Sequence, residues 1–199
     1  MKPATKTATW AVACVSLVGV FEGCDFTAKK DMIGTGHPLT WCHGETIGNA
    51  RAGQKFTRAE CDAMLAARLP DYWNEIAPCI HVTTSDNEKI AYTSTAYNIG
   101  SRGVCKSSMV RKLNAGDHVG ACNALMQYTH ASGKFVQGLA NRRTAERKIC
   151  LTPDSAPSAS TRIAAIPQVK ADFNERFKGA PAPKKPAPRL FSWAWWIQA

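Results

Sequence analysis

Residues 7 to 21, TATWAVACVSLVGVF, carry no charge, and two lysines precede them. A basic start followed by an apolar run has the look of a secretory signal. Fifteen residues fall short of the roughly 20 that a spanning helix needs. No small-x-small cleavage site follows, and a cut after the run would strand Glu22. The pattern therefore predicts a buried helix leading into the next segment. A weak, uncleaved export anchor that later leaves the membrane is the second reading.

Residues 32 to 56 are rich in Gly, Thr and Pro and alternate over short distances, which predicts a small twisted β-hairpin region. The period then becomes helical. Thr57 opens TRAE, a capping box with Glu60 three positions on, and Pro70 is expected to kink or end that helix. DNEKIAYTSTAYNIG reads as a helix stopped at Gly100. SSMVRKLNAG, DHVGACNALMQY and LANRRTAERKICL each read as a further helix, the last with apolar and charged positions segregated. A mostly helical body with one β patch near its start is an α+β layout.

Composition changes after Leu151. TPDSAPSAS reads as a linker, QVKADFNERFKG as one short helix, and APAPKKPAP as a basic spacer before the terminal RLFSWAWWIQA. The 199 residues suit one catalytic-size domain over 1–152, with 1–21 as a possible export or anchor helix, plus a tail over 153–199. The net charge is +10, and seven Lys/Arg against three Asp/Glu in 153–199 leave +6 in the body. That balance favours an anionic partner: nucleic acid, acidic lipid or an acidic wall polymer. The Trp-rich end suits interfacial membrane contact, stacking on sugar faces, or docking on the domain.

Eight cysteines, at 14, 24, 42, 61, 79, 105, 122 and 150, show no CxxC pair and no zinc spacing. No metal and no cofactor is expected, and an oxidising destination is the better reading. Cys42 and Cys61 flank the passage from β to helix and are the first choice for a disulfide; Cys122 with Cys150 is the second. Cys14 lies in the apolar run and Cys24 two residues past Glu22. A thiol changing partners as that segment left a membrane would switch the neighbouring site on.

The candidate chemistry lies in FEGCDFTAKKDMIGTGHPLTWCHGET. Splitting a glycosidic bond needs one protonated carboxyl and one ionised carboxylate. Glu22 follows Val18, Val20 and Phe21, where burial would favour its neutral form. Asp31 lies nine positions on in a polar, glycine-rich stretch, where it would stay ionised. Thr40 is near enough in sequence to help hold a water, and Thr35 competes for that role. Spacing alone makes this a weak signal, because such pairs are common.

The ordered set of FEG, eight residues, Asp, and IGTGHPLTWCHGET, continuing through TRAECDAML, AYNIG, MVRKLNAGD, GAC and GLANRRTAERKICL, resembles the phage-type lysozymes, or endolysins, of glycoside hydrolase family 24. The likeness spans about residues 12 to 151. The family pattern has five residues between Asp and Thr; here eight separate Asp31 from Thr40, which best fits the place before the xCxG strand. The resemblance implies a lysozyme-like fold and hydrolysis of the β-1,4 bond between N-acetylmuramic acid and N-acetylglucosamine in bacterial peptidoglycan. It implies Glu22 as general acid, with Asp31 and Thr40 placing the water. A monomer without nucleic-acid partner is expected, phage-encoded, made in the host cytoplasm and acting in the periplasm or wall, with transient inner-membrane association. A lytic transglycosylase and a non-catalytic cationic wall- or membrane-binding protein are the rival readings.

Other polar residues have plainer expectations. His37 and His43 read as exposed turn histidines, and Glu45 as a cleft or surface charge. Arg142, Arg143 and Glu146 are spaced for pairing on a helix surface. Asn98 and Gly100 read as a helix cap.

Overall fold

The computed structural model describes residues 9–30, 38–46 and 48–153. The predicted linker, short helix and Trp-rich end lie outside these residues. Seven helices and two small hairpins follow one another among them. They fall into two compact units, one built from the chain up to Val18 and from Ala66 onward, the other from Gly19–Leu65. The α+β layout expected from the sequence is the one observed.

The apolar run forms helix α1, Thr9–Glu22. Ala11, Cys14, Val15, Leu17 and Val18 are buried, and the Trp10 ring meets the edge of Trp73 at 6.0 Å. Each large apolar side chain sealed this way contributes about 1.5–3 kcal/mol. Among the described residues, no helix is long and apolar enough to cross a membrane.

In the unit Gly19–Leu65, strand β1 (Asp25–Lys30) pairs antiparallel with β2 (Leu39–Cys42). The register matches Asp25 with Cys42 and Lys29 with Thr40, with an irregularity between. The hairpin therefore starts seven residues earlier than the 32–56 region expected for it. Its first strand contains two lysines and an aspartate and lacks an apolar alternation; pairing with a distant partner, not local pattern, makes it a strand. Ala28, Trp41, Cys42, Phe56, Cys61 and Met64 form the core beneath. Trp41 stacks on Phe56 at 6.0 Å, and its indole N–H points at Met64 Sδ, 3.4 Å away.

Helix α2 runs Arg58–Ile76. The Thr57 amide donates to Glu60 Oε2 at 2.7 Å and the Glu60 amide to Thr57 Oγ1 at 3.2 Å, the reciprocal cap read from TRAE. Pro70 does not end it; the helix continues to Ile76. An interior proline typically costs about 3 kcal/mol, and the buried Leu69 and Ile76 on either side offset it.

In the larger unit, α3 (Asp86–Ile99) starts at a Ser85–Glu88 capping box and ends where Gly100 takes φ +85°. Ile90 through Ala96 are all buried, so α3 is the central helix of that unit. Around it stand α4 (Ser101–Cys105), α5 (Ser108–Asn114), α6 (His118–Ala124) and α7 (Gln137–Cys150). Ser107 and Asp117 cap α5 and α6. A two-residue hairpin, β3 (His130–Ala131) with β4 (Lys134–Phe135), precedes α7. Disulfides join Cys42 to Cys61, Cys122 to Cys150, and Cys79 to Cys105. The first two are the expected pairs; the third joins the last residue of α4 to the short turn that follows α2.

Arg142, Arg143 and Glu146 are buried, not paired on the surface. Glu146 meets Arg142 Nε at 3.1 Å and Arg143 Nη1 at 2.7 Å, and accepts from Ser94 Oγ at 2.6 Å. Arg143 also donates to the Asn98 side-chain oxygen, so Asn98 serves this network in place of the expected cap. The segregated pattern of α7 is thus a charged cluster inside the unit.

Candidate active site

Glu22 is the last residue of α1. The helix stops because Gly23 takes φ +68°, a left-handed turn that a side chain disfavours. The glutamate side chain is half-buried, and Val20, one of its expected apolar companions, is 73% exposed. The apolar wall around Glu22 is thus thinner than the local sequence suggests.

Thr40 lies on β2, half-buried and paired with Lys29 across the hairpin. Glu22 and Thr40 belong to the same compact unit. Asp31, the competing Thr35, and His37 lie outside the described residues.

Directly after β2 comes a residue that sequence reasoning misplaced. His43 is 3% exposed, not a solvent-facing turn histidine. Its Nδ1 lies 2.6 Å from the Gly23 carbonyl oxygen, directly after Glu22. Its Nε2 lies 2.9 Å from Asp62 Oδ1 on α2. The other Asp62 oxygen faces Arg58 Nε at 3.7 Å. One residue back on both strands of this contact, Cys42 is bonded to Cys61, and both pairs have a sequence separation of 19. Cys42 takes φ +53°, a turn that the disulfide holds in place. The signal that could have located His43 was therefore present: pairing Cys42 with Cys61 makes their successors neighbours.

Glu45 closes a tight turn, its backbone exchanging hydrogen bonds with Trp41 and its carboxylate accepting from the Thr46 amide at 2.9 Å. Cys24 is a free, partly buried thiol; burial pushes its pKa up, and nearby Arg58 opposes that shift. Cys14 is free and wholly buried, its sulfur 3.5 Å from the Ile90 carbonyl oxygen, and burial drives its pKa far up. Among the described residues, no three His, Cys, Asp or Glu side chains gather to hold a metal.

A helix ending at a glutamate, followed at once by a short hairpin in a chain otherwise mostly helical, is a lysozyme-like layout. Residues 19–146 match the phage lysozyme family model, and the chain belongs to that family. A SAR-endolysin of Enterobacteria phage P21 is 37% identical over 71% of this chain and 87% of its own length. A SAR-endolysin of Pseudomonas phage phiKMV is 33% identical over 80% of this chain and 98% of its own length. Among solved structures, the muramidase domain of SpmX from Asticaccaulis excentricus superposes with a TM-score of 0.62 at 27% identity, over 71% of this chain and 96% of that one.

Proposed function

We infer that Glu22 is the general acid of a peptidoglycan muramidase, with Asp31 and Thr40 placing the attacking water. The activity follows from the family: the chain is a phage endolysin, a glycoside hydrolase that cuts the β-1,4 bond between N-acetylmuramic acid and N-acetylglucosamine. The observation that supports the acid is the position of Glu22 at the C-terminus of α1, turned by left-handed Gly23 and followed at once by the hairpin that bears Thr40.

The chemistry runs in one displacement. Glu22 gives its proton to the glycosidic oxygen as the bond to the anomeric carbon breaks. A water held by the Thr40 hydroxyl and the Asp31 carboxylate attacks that carbon and passes its proton to Asp31. Acid–base assistance of this kind contributes about 10²–10⁴-fold in rate.

Several finer assignments belong to the same proposal. Residues 1–152 form the catalytic body and 153–199 a tail. The body is a monomer. It is made in the host cytoplasm and works in the periplasm, with residues 7–21 and the tryptophans at 193, 195 and 196 as membrane contacts. The uncharged run supports the first contact and the terminal WAWW the second.

Mass analysis of fragments from purified peptidoglycan tests the reaction type. Hydrolysis leaves reducing muramic ends. Anhydro-muramic ends would assign a transglycosylase instead.

A further inference from the structure

His43 is buried, yet neither ring nitrogen is idle. Nδ1 faces the Gly23 carbonyl oxygen at 2.6 Å and Nε2 faces Asp62 Oδ1 at 2.9 Å. A backbone carbonyl and an ionised carboxylate only accept, so both contacts are complete hydrogen bonds when both ring nitrogens carry hydrogen. Room for the ring is built into α1. A Cβ on Gly19 would stand 3.3 Å from His43 Cε1, tighter than ordinary contact. The ring thus lies against the last turn of α1 and bridges from the residue after Glu22 to α2. The Cys42–Cys61 bond fixes the same two elements one residue away.

We propose that His43, anchored by Asp62, is a positioning residue that holds the turn carrying Glu22 in the orientation needed to protonate the glycosidic oxygen. The proposal rests on Glu22 being the acid. His43 touches neither substrate nor the reacting atoms. It acts on the backbone that immediately follows the acid. Left-handed Gly23 has no side chain to steady it, so the carbonyl contact supplies the restraint. The disulfide joins β2 to α2, and the His43 contact adds a tie from Asp62 on α2 to the carbonyl of the residue after Glu22. A displacement of the acid by about 1 Å is enough to cost on the order of 10²-fold in rate.

The test is steady-state hydrolysis of purified peptidoglycan by the full chain, with thermal melting of every variant. Glu22→Gln, His43→Phe, His43→Gln, Asp62→Leu and the double variant His43→Phe/Asp62→Leu are compared. His43→Phe keeps the ring bulk and loses both ring nitrogens. It is expected to lower kcat by about 10- to 100-fold with KM changed less than about twofold. His43→Gln, able to donate to the Gly23 carbonyl, recovers part of that loss. Asp62→Leu lowers kcat in the same direction, and the double variant is no worse than His43→Phe alone, since the two residues act as one unit. The Asp62 side chain is 28% exposed, so Asp62→Leu carries the test should His43→Phe fail to fold. Parental kcat in both His43→Phe and Asp62→Leu, or a loss confined to KM, overturns the positioning role while an inactive Glu22→Gln leaves the acid standing. An active Glu22→Gln overturns both.

Discussion

Glu146 meets Arg143 Nη1 at 2.7 Å, and neither side chain has exposed surface. Arg142, on the same helix, adds a second contact at 3.1 Å. Two buried guanidinium groups therefore share one carboxylate. Glu146→Gln would leave them uncompensated, which costs about 3–5 kcal/mol in such settings. Thermal or denaturant unfolding is expected to show this loss. Asp71→Asn, which breaks the Arg68–Asp71 pair at its solvent-facing carboxylate, 55% exposed, should cost about 1 kcal/mol or less. Equal losses in the two variants would contradict a load carried by burial.

The two free cysteines should differ in reactivity. Cys14 is sealed in the larger unit against the Ile90 carbonyl, whereas Cys24 is only partly buried. Both thiols are pushed up in pKa by burial, Cys14 far more. Alkylation of the native protein should label Cys24 first and Cys14 only on global unfolding. Peptide mapping after a timed iodoacetamide pulse reads the order, and equal rates would show that α1 opens readily.

Asp117 caps α6 by accepting from the Gly120 amide at 2.7 Å. That bond, then Lys112, holds its carboxyl below the usual range. A lowered native pKa stabilises the fold at pH above the unfolded value, about 3.9 for Asp, and the contribution fades as pH falls through the native value. Asp117→Asn should therefore flatten the acid limb of the melting curve below about pH 4. A Cβ on Gly120 would strike the Asp117 carboxylate. Gly120→Ala should thus lower the melting temperature by displacing the cap, and adding Asp117→Asn should do little more.

The Cys79–Cys105 bond closes a 26-residue separation. Chain-entropy arguments assign such a loop about 3 kcal/mol. Replacing both cysteines with serine should lower stability by roughly that amount, read from denaturant midpoints, and should leave the Cys42–Cys61 bond formed in non-reducing peptide maps.

Local signals were legible and distant ones were not. Thr57 with Glu60 announces a helix start because that cap is made within three residues. Glu22 at the end of an apolar run is visible for the same reason. Pro70 misleads because burial of Leu69 and Ile76 outweighs a local penalty. β1 is missed because its identity depends on β2, and α4 because five residues give too little period. His43 looks exposed because its partners lie 20 and 19 residues away. Arg142, Arg143 and Glu146 look like surface pairs until Ser94 and Asn98, more than 40 residues back, supply the remaining bonds.

The central claim concerns the proton on Glu22. Reducing-end release from purified peptidoglycan by Glu22→Gln, beside the parent protein and at matched melting temperature, measures it directly. A folded variant with activity lower by about 10²-fold or more is the predicted result. A variant that opens the glycan strands at the parental rate would contradict it.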